Sequence, residues 1–142
     1  DSGAISDAIA VWKSLGMGVS QMTAPQHDAI FAAVSHFPHL LAFAYMNGIA
    51  GQSEAQQFLQ MAGPGFKDFT RIAAGDPELW SDIFSANSQE ILKQSVAMSS
   101  SLKRLEDAMR LGNPQALKEL IATASALRSG WTLNHKSALD DI

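Results

Sequence analysis

The segment from Leu40 to Ile49 constrains the fold most, because it has almost no polar face. A helix that is apolar on nearly all sides must be covered on all sides, so we expect a central helix surrounded by others. Its longest apolar run, Leu40 to Met46, lies between His39 and Asn47 and is too short to span a bilayer. We therefore predict a helical domain that does not enter a membrane.

Signals for helix starts and ends divide the remaining chain into further helices. Residues 5–15 have the apolar spacing of a short amphipathic helix, and Pro38 should break or kink the helix that precedes it. A long helical stretch from Asp76 to about Leu111 has a polar interruption near Asn87. The predicted helix starts are at Thr23, Ser53, Asp76 and Asn113, and the predicted stops are at Gly63, Gly75, Gly112 and Gly130.

Residues 16–22 differ from this helical pattern. Met17, Val19 and Met22 recur with a period near two, which is typical of a β-strand. Because no other segment has convincing strand character, the ladder partners would have to lie outside this sequence or in a second copy of it. The residues alone thus predict an all-α bundle with one isolated strand.

The charge balance limits the kinds of partner. The chain has 142 residues, enough for one domain, and 17% of them are charged, against roughly 25% in an average soluble domain. Part of the apolar surface is therefore expected to be covered by a partner or a second domain. The net charge of −4, without a basic stripe, argues against nucleic acid as a partner. The absence of cysteine excludes disulfides and zinc–thiolate sites, and without a signal-peptide pattern we expect a cytoplasmic protein.

Candidate ligand-binding residues are concentrated between Gly63 and Pro77. A Gly-Pro-Gly turn leads directly into a helix on which Lys67 and Arg71 are about one turn apart. Two cations near a helix start favour binding of an anion such as a carboxylate. A second interpretation stays open, in which Arg71 pairs with Asp68 and Lys67 is merely solvated.

Histidines near Pro38 form a second candidate cluster. His36 and His39 flank the proline, and His27 lies beside Asp28 nine residues earlier. Imidazoles with a carboxylate suit zinc or iron, but this spacing is not a strong metal signature and we predict no metal site. The alternatives are a core histidine bonded to a backbone carbonyl for His36 and a first-turn side chain for His27. The sequence contains no serine elbow, Walker loop or G-x-G-x-x-G.

Two long motifs resemble a known family. They are HDAIFAAVSHFPHLLAFA, from His27 to Ala44, and GPGFKDFTRIAAGDPELWSDIF, from Gly63 to Phe84. In this order and at this separation they are similar to the helical C-terminal domain of prephenate, arogenate and cyclohexadienyl dehydrogenases. The resemblance covers about residues 4–110.

The resemblance implies an intertwined homodimer and a preceding Rossmann domain. Residues 1–22 would be the tail end of that nucleotide-binding domain, with its last helix and edge strand. Residues 23–130 would be the helical dimerisation and substrate-binding domain, and residues 131–142 a C-terminal tail. NAD or NADP and the catalytic histidine would belong to the missing domain, so no catalytic or cofactor-binding residue is expected here, and this chain alone would be inactive.

The resemblance also implies a reaction, the oxidative decarboxylation of prephenate to 4-hydroxyphenylpyruvate in tyrosine biosynthesis. Arogenate would be the other candidate substrate, and tyrosine a candidate inhibitor. Arg71 matches the arginine that holds a substrate carboxylate, and His39 matches a histidine that lines the substrate pocket. Lys67 and Asp68 match a charged pair near the pocket mouth.

Asp28, His36 and Trp80 are expected in the pocket or at the dimer interface. Two other functions are weighed against the dehydrogenase. One is a purely structural helical dimerisation module without a working site, which the intact Arg71 and His39 argue against. The other is a helical metalloprotein centred on the three histidines.

Overall fold

The computed structural model describes residues 2–132, and no strand occurs in that range. A π turn, Ala32–His36, joins the second helix to the third, and a 3-10 turn, Arg71–Ala74, follows the fifth. The all-α prediction is confirmed. The α-helices of the described range are α1 (Ser2–Ser14), α2 (Ala24–Phe31), α3 (Phe37–Ala50), α4 (Ala55–Gln60), α5 (Pro64–Thr70), α6 (Pro77–Ala86), α7 (Ser88–Arg110) and α8 (Pro114–Gly130).

The described residues form two compact units. The larger unit, Ala24–Lys103, contains α2 to α6 and most of α7. The smaller unit comprises positions 2–23 and 104–132 and contains α1, the end of α7, and α8. The predicted C-terminal tail, residues 131–142, lies outside the described residues except for its first two positions.

Several helix ends follow their local sequence signals. A carboxylate oxygen of Asp76 accepts from the Leu79 amide at 2.8 Å and caps α6. The side chain of Asn113 caps α8 in the same way, accepting from the Ala116 amide at 3.0 Å. Gly112 has a φ of +60°, which favours glycine at the end of α7. These three predictions are confirmed.

The predicted start at Ser53 is wrong. The first residue of α4 is Ala55, and Glu54 occupies the capping position without a side-chain cap bond. The Ser53 hydroxyl donates instead to the neighbouring Glu54 carboxylate at 2.6 Å. In a capping box the serine oxygen would instead accept from a backbone amide three residues on, and α4 begins without a side-chain cap bond.

The predicted strand at residues 16–22 is also wrong. Gly16, with a φ of +76°, ends α1, and its amide donates to the Lys13 carbonyl at 2.9 Å. The Met17 amide donates to the Trp12 carbonyl at 3.1 Å, and residues 17–23 then follow an irregular path. A period-two pattern needs a ladder partner, and no strand between residues 2 and 132 supplies one.

Pro38 does not break the helix that contains it. The segments α2, π turn and α3 form one continuous helix from Ala24 to Ala50. In the π turn the backbone bonds span five residues, so that the Phe37 amide donates to the Ala32 carbonyl. The proline is the second residue of α3, so its missing amide falls where the bonding changes from π to α.

The continuous helix is 27 residues long. Among the helices of residues 2–132, it is the one that is long and apolar enough to cross a membrane. The core helix of a soluble protein meets the same criteria. In the single chain 17% of its most apolar window is buried, and within α3 only Phe37 and Ala42 are buried. The expectation of a fully enclosed helix is therefore wrong for the single chain, because its remaining apolar surface is not covered by the described residues.

The buried core of the larger unit lies where this helix meets α7. Ala32, Phe37 and Ile91 are its buried members. Leu40, Leu41 and Phe84 pack against them from α3 and α6. This contact fixes the start of α7 beside the π turn.

Candidate functional site

An aromatic cluster is built around Trp80 of α6. The indole stacks on the His39 imidazole with ring centroids 3.6 Å apart and an interplanar angle of 21°. His36 meets the indole edge to face at 6.4 Å, while Phe43 and Phe84 lie at 6.5 and 5.5 Å. The aromatic cluster, defined as these five residues, brings two predicted site histidines into contact with the predicted pocket tryptophan.

Gly75 allows Trp80 to occupy this position. A Cβ atom at Gly75 would lie 2.4 Å from the indole Nε1 and 2.7 Å from Cδ1. Real side chains do not approach so closely, so the backbone after the 3-10 turn packs directly on the indole. The sequence had identified Gly75 only as a helix stop, and its role in packing was missed.

His39 has a defined proton position. Its Nδ1 lies 2.9 Å from the Ser35 carbonyl oxygen, which can only accept, so Nδ1 carries the proton. In the neutral ring Nε2 is then an acceptor, and no residue of the described range bonds it. His39 is therefore oriented by the helix and by Trp80, with one ring nitrogen available to a ligand.

His36 has the opposite proton position. The Asn87 amide nitrogen donates to the Asp28 carbonyl at 2.8 Å and lies 3.1 Å from His36 Nδ1. Because the amide nitrogen only donates, Nδ1 is the acceptor and the proton is on Nε2. Burial lowers the pKa of His36 below its ordinary value of 6.5, because it disfavours the charged ring. The nearby His27 and, to a smaller extent, His39 lower this pKa further, whereas the Asp28 carboxylate raises it. The predicted backbone-carbonyl partner of His36 is wrong, since its partner is a side-chain amide.

His27 lies at the solvent side of α2. Its Nδ1 is 3.1 Å from a carboxylate oxygen of Asp28, and both side chains are about half exposed. Its ring also packs on Phe31, with centroids 4.4 Å apart. Between residues 2 and 132 no group of three metal-ligating side chains is placed to hold an ion.

The predicted charged residues lie on α5 and the 3-10 turn, both of which pack on α3. Tyr45 of α3 contacts Phe66 of α5, with ring centroids 6.0 Å apart. Lys67, Asp68 and Arg71 are exposed, and none of them forms an ion pair or side-chain hydrogen bond with another described residue. The interpretation that pairs Arg71 with Asp68 is therefore wrong, and both cations are available to an external anion.

A shallow apolar cleft opens beside the aromatic cluster. It has a volume of about 320 Å³. Its position next to Trp80 makes it suitable for a flat ring. It is lined by Phe43, Asn47, Pro77, Trp80, Ser81 and Phe84.

Comparison with known families gives a match over most of the chain. Residues 23–123 match the prephenate dehydrogenase dimerization domain. The chain belongs to this family. The matched range contains the whole aromatic cluster and the two exposed cations Lys67 and Arg71.

Individual relatives are dehydrogenases. The chain is 27% identical over 126 residues to cyclohexadienyl dehydrogenase of Zymomonas mobilis, covering 87% of this chain and 43% of that protein. It is 27% identical over 120 residues to prephenate dehydrogenase of Bacillus subtilis, covering 84% and 32%. The chain thus spans less than half the length of these relatives.

Solved structures show the same fold. The crystal structure of prephenate dehydrogenase from A. aeolicus, in complex with hydroxyphenyl propionate and NAD+, superposes with a TM-score of 0.84 at 32% identity. That alignment covers 91% of this chain and 46% of the other. Synechocystis arogenate dehydrogenase has a TM-score of 0.80 at 23% identity, a likeness of fold, and the alignment covers 93% and 49%.

Proposed function

We propose that this chain is the helical part of a cytoplasmic, NAD(P)-dependent dehydrogenase of tyrosine biosynthesis. Its substrate would be prephenate or arogenate. Hydride would leave the substrate ring for the nicotinamide, and the ring carboxylate would leave as carbon dioxide. The observation that carries this proposal is the family match over residues 23–123, which contains all the candidate site residues.

Arg71 is the residue to which we assign the substrate carboxylate. A guanidinium can bind a carboxylate through two parallel hydrogen bonds. Because Arg71 has no ion pair among the described residues, no internal contact has to be broken when the anion binds. Lys67, close by on α5, would add attraction for the same anion, and Asp68 would limit the net positive charge.

His39 is assigned to the side-chain end of the substrate. Its neutral form offers Nε2 as an acceptor, which suits an ammonium donor such as that of arogenate. The keto group of prephenate only accepts, so it would need the protonated ring. The protonation state of His39 would therefore influence which substrate is preferred, while Trp80 keeps the ring in place.

The residues of this chain do not fit a dinucleotide. The sequence has no G-x-G-x-x-G, and residues 2–132 contain no strand from which such a loop could lead into a helix. We propose that NAD or NADP binds a Rossmann domain outside this chain, which also supplies the catalytic histidine. This chain would then have no dehydrogenase activity by itself.

The partner that we propose for the helical surface is a second copy of the chain. The family is a dimerization domain, and large apolar side chains on α7 are exposed, with Val96 73% accessible. Changing Val96→Asp should turn a particle of twice the 15.2 kDa chain mass into a monomer in size-exclusion light scattering. Gln89→Asp, which adds the same charge at an exposed position of the same helix, should leave the dimer intact. Monomeric wild-type protein would contradict this part of the proposal.

The binding function is tested by titrating the chain with prephenate, arogenate and tyrosine while recording NMR spectra. Signals of His39, Lys67 and Arg71 should shift in the wild type. In Arg71→Ala the affinity should fall by about 10- to 100-fold, the amount expected for a charged hydrogen-bonded contact. Lys118→Ala, which removes an exposed cation of α8, is the matched control and should bind like the wild type.

A dimer that shows no shift with any of the three ligands at millimolar concentration would favour the other function, a purely structural dimerisation module. That result would refute the substrate-binding role of Arg71 and His39 in this chain. It would leave the proposed dimer unaffected.

A further inference from the structure

Asn87 is a buried polar residue at the junction of α6 and α7. It is 8% exposed, and its backbone, with φ of −112° and ψ of 26°, interrupts what would otherwise be one long helix. Its main chain bonds to both helices, since its amide donates to the Ile83 carbonyl and its carbonyl accepts from Ile91, each at 3.1 Å. The side-chain amide is therefore not needed to join the two helices and is free for another role.

That side-chain amide is directed at the continuous helix. Its nitrogen faces the Asp28 carbonyl, which only accepts, so the oxygen and nitrogen of the amide cannot be exchanged without bringing two acceptors together. The same nitrogen then makes His36 Nδ1 an acceptor. Asn87 thus contacts the continuous helix at two points. The first is the Asp28 carbonyl, four residues before the π turn begins, and the second is the ring of His36, the last residue of the π turn.

The π turn between these two points determines where α3 directs its side chains. An α-helix turns about 100° per residue, and a π turn accommodates one extra residue, so the downstream side chains are rotated by about 100° relative to an unbroken α-helix. His39 is downstream and stacks on Trp80. With a regular α-helix from residue 24 onwards, His39 would point in a different direction from the one that Trp80 and Ser35 now fix.

We propose that Asn87 is a positioning residue, which holds the π turn through the Asp28 carbonyl and the His36 ring and thereby sets the direction of His39. The ligand-binding consequence rests on the proposed function, whereas the ring geometry does not. The buried contacts of Ala32 and Phe37 with Ile91 keep the π turn close to Asn87 and support the same arrangement.

The test compares wild-type protein with Asn87→Asp and Asn87→Ala. An aspartate cannot donate to the Asp28 carbonyl and instead attracts a proton to His36 Nδ1. Gln89→Asp makes the same amide-to-carboxylate change at an exposed position two residues away and is the matched control. Far-UV circular dichroism and light scattering establish that each variant keeps its helices and its assembly.

The decisive readouts are the imidazole tautomers and the ring-current shifts of His39 in NMR spectra. In the wild type and in Gln89→Asp, His36 should carry its proton on Nε2, and the carbon-bound protons of His39 should be shifted upfield by the Trp80 indole. In both Asn87 variants the His39 upfield shift should decrease, and in Asn87→Asp His36 should take up a proton at higher pH. A His39 spectrum unchanged in Asn87→Ala would overturn the proposal, even if Asn87→Asp fails to fold.

Ligand binding gives a separate readout. Prephenate affinity should fall at least about tenfold in Asn87→Ala, because displacing a binding group by about an ångström has large effects on recognition. Gln89→Asp should bind like the wild type. If the wild type binds no prephenate, the proposed function fails, while the ring-current comparison still decides the role of Asn87.

Discussion

The aromatic cluster and the exposed cations belong to the same unit but are built in different ways. His36 and His39 each have a ring nitrogen bonded within the chain, and His39 is also stacked on Trp80. Lys67 and Arg71 have no such partner among the described residues. The first region is therefore preorganised by the fold, whereas the second needs a charge from outside to complete it.

This difference separates stability from affinity. Contacts within the aromatic cluster contribute to the free energy of unfolding, because the fold itself makes them. The cations contribute little to that free energy but should dominate the binding of an anion. Substitutions in the aromatic cluster should therefore lower mainly the free energy of unfolding, and substitutions of Lys67 or Arg71 should lower mainly the affinity for an anion. Four substitutions test this contrast, from the largest expected effect on unfolding to the smallest.

The largest effect on stability is expected for Gly75→Ala. The added Cβ would overlap the Trp80 indole, which must move away from Gly75 and disturb its stack on His39. The free energy of unfolding, measured by urea denaturation, should fall by about 1–3 kcal/mol. At Gly65 an added Cβ meets nothing within 4 Å, so Gly65→Ala should cause no such loss. Equal stability of the two variants would show that Trp80 is not held by Gly75.

The cap of α6 should have the next largest effect. Asp76→Ala removes the side-chain bond to the Leu79 amide at the start of the helix that carries Trp80. Thermal and urea unfolding should show a loss of about 1 kcal/mol. Asp82→Ala, at an exposed position of the same helix, is the control and should be close to neutral. Similar losses for both would mean that the cap contributes nothing specific.

A smaller effect should come from the protonation of His36. Its folded-state pKa lies below the unfolded value of 6.5, so the unfolded chain binds the proton more readily. The contribution to stability is complete above pH 6.5 and is lost as the pH falls through 6.5 toward the lower folded-state pKa. Urea midpoints of the wild type should therefore decline more between pH 7.5 and 5.5 than those of His36→Gln. Parallel declines would argue against a perturbed His36.

Arg71→Ala should have the smallest effect on unfolding. An exposed side chain without an internal partner changes stability by less than about 0.5 kcal/mol. The affinity of this variant for prephenate should nevertheless fall by about 10- to 100-fold. The affinity of the wild-type protein for prephenate should weaken with added salt, because salt screens exposed charges. A large loss of stability in Arg71→Ala would show that the two regions are not separate.

The sequence predicts the parts of this fold that depend on neighbouring residues. The caps at Asp76 and Asn113 were found because each signal is contained in a few consecutive residues. Ser53 carries the same kind of signal, but Glu54 occupies the capping position of α4 and no side chain caps that helix. Local patterns thus indicate where helices form, with small errors at individual helix ends.

The sequence does not predict contacts between distant residues. The polar character of Asn87 was noticed as an interruption, but its partners Asp28 and His36 are 59 and 51 positions away. The contact between Gly75 and the Trp80 ring depends on the path of the backbone after the 3-10 turn. Anion binding by Lys67 and Arg71 was predicted from their position near a helix start, whereas the assignment of Arg71 to a substrate carboxylate and of Lys67 to the pocket mouth came from family resemblance. Both stay predictions until ligand binding is measured.

The long sequence separation of the Asn87 bonds also has a consequence for the order of folding. Helices of this length form within about a microsecond. Closing a loop of nearly 60 residues carries an entropic cost of about 3–4 kcal/mol, because that cost grows with the logarithm of loop length. We expect the continuous helix to form early and the Asn87 contacts to form late, so that a refolding chain gains native helix content before His36 acquires its final tautomer.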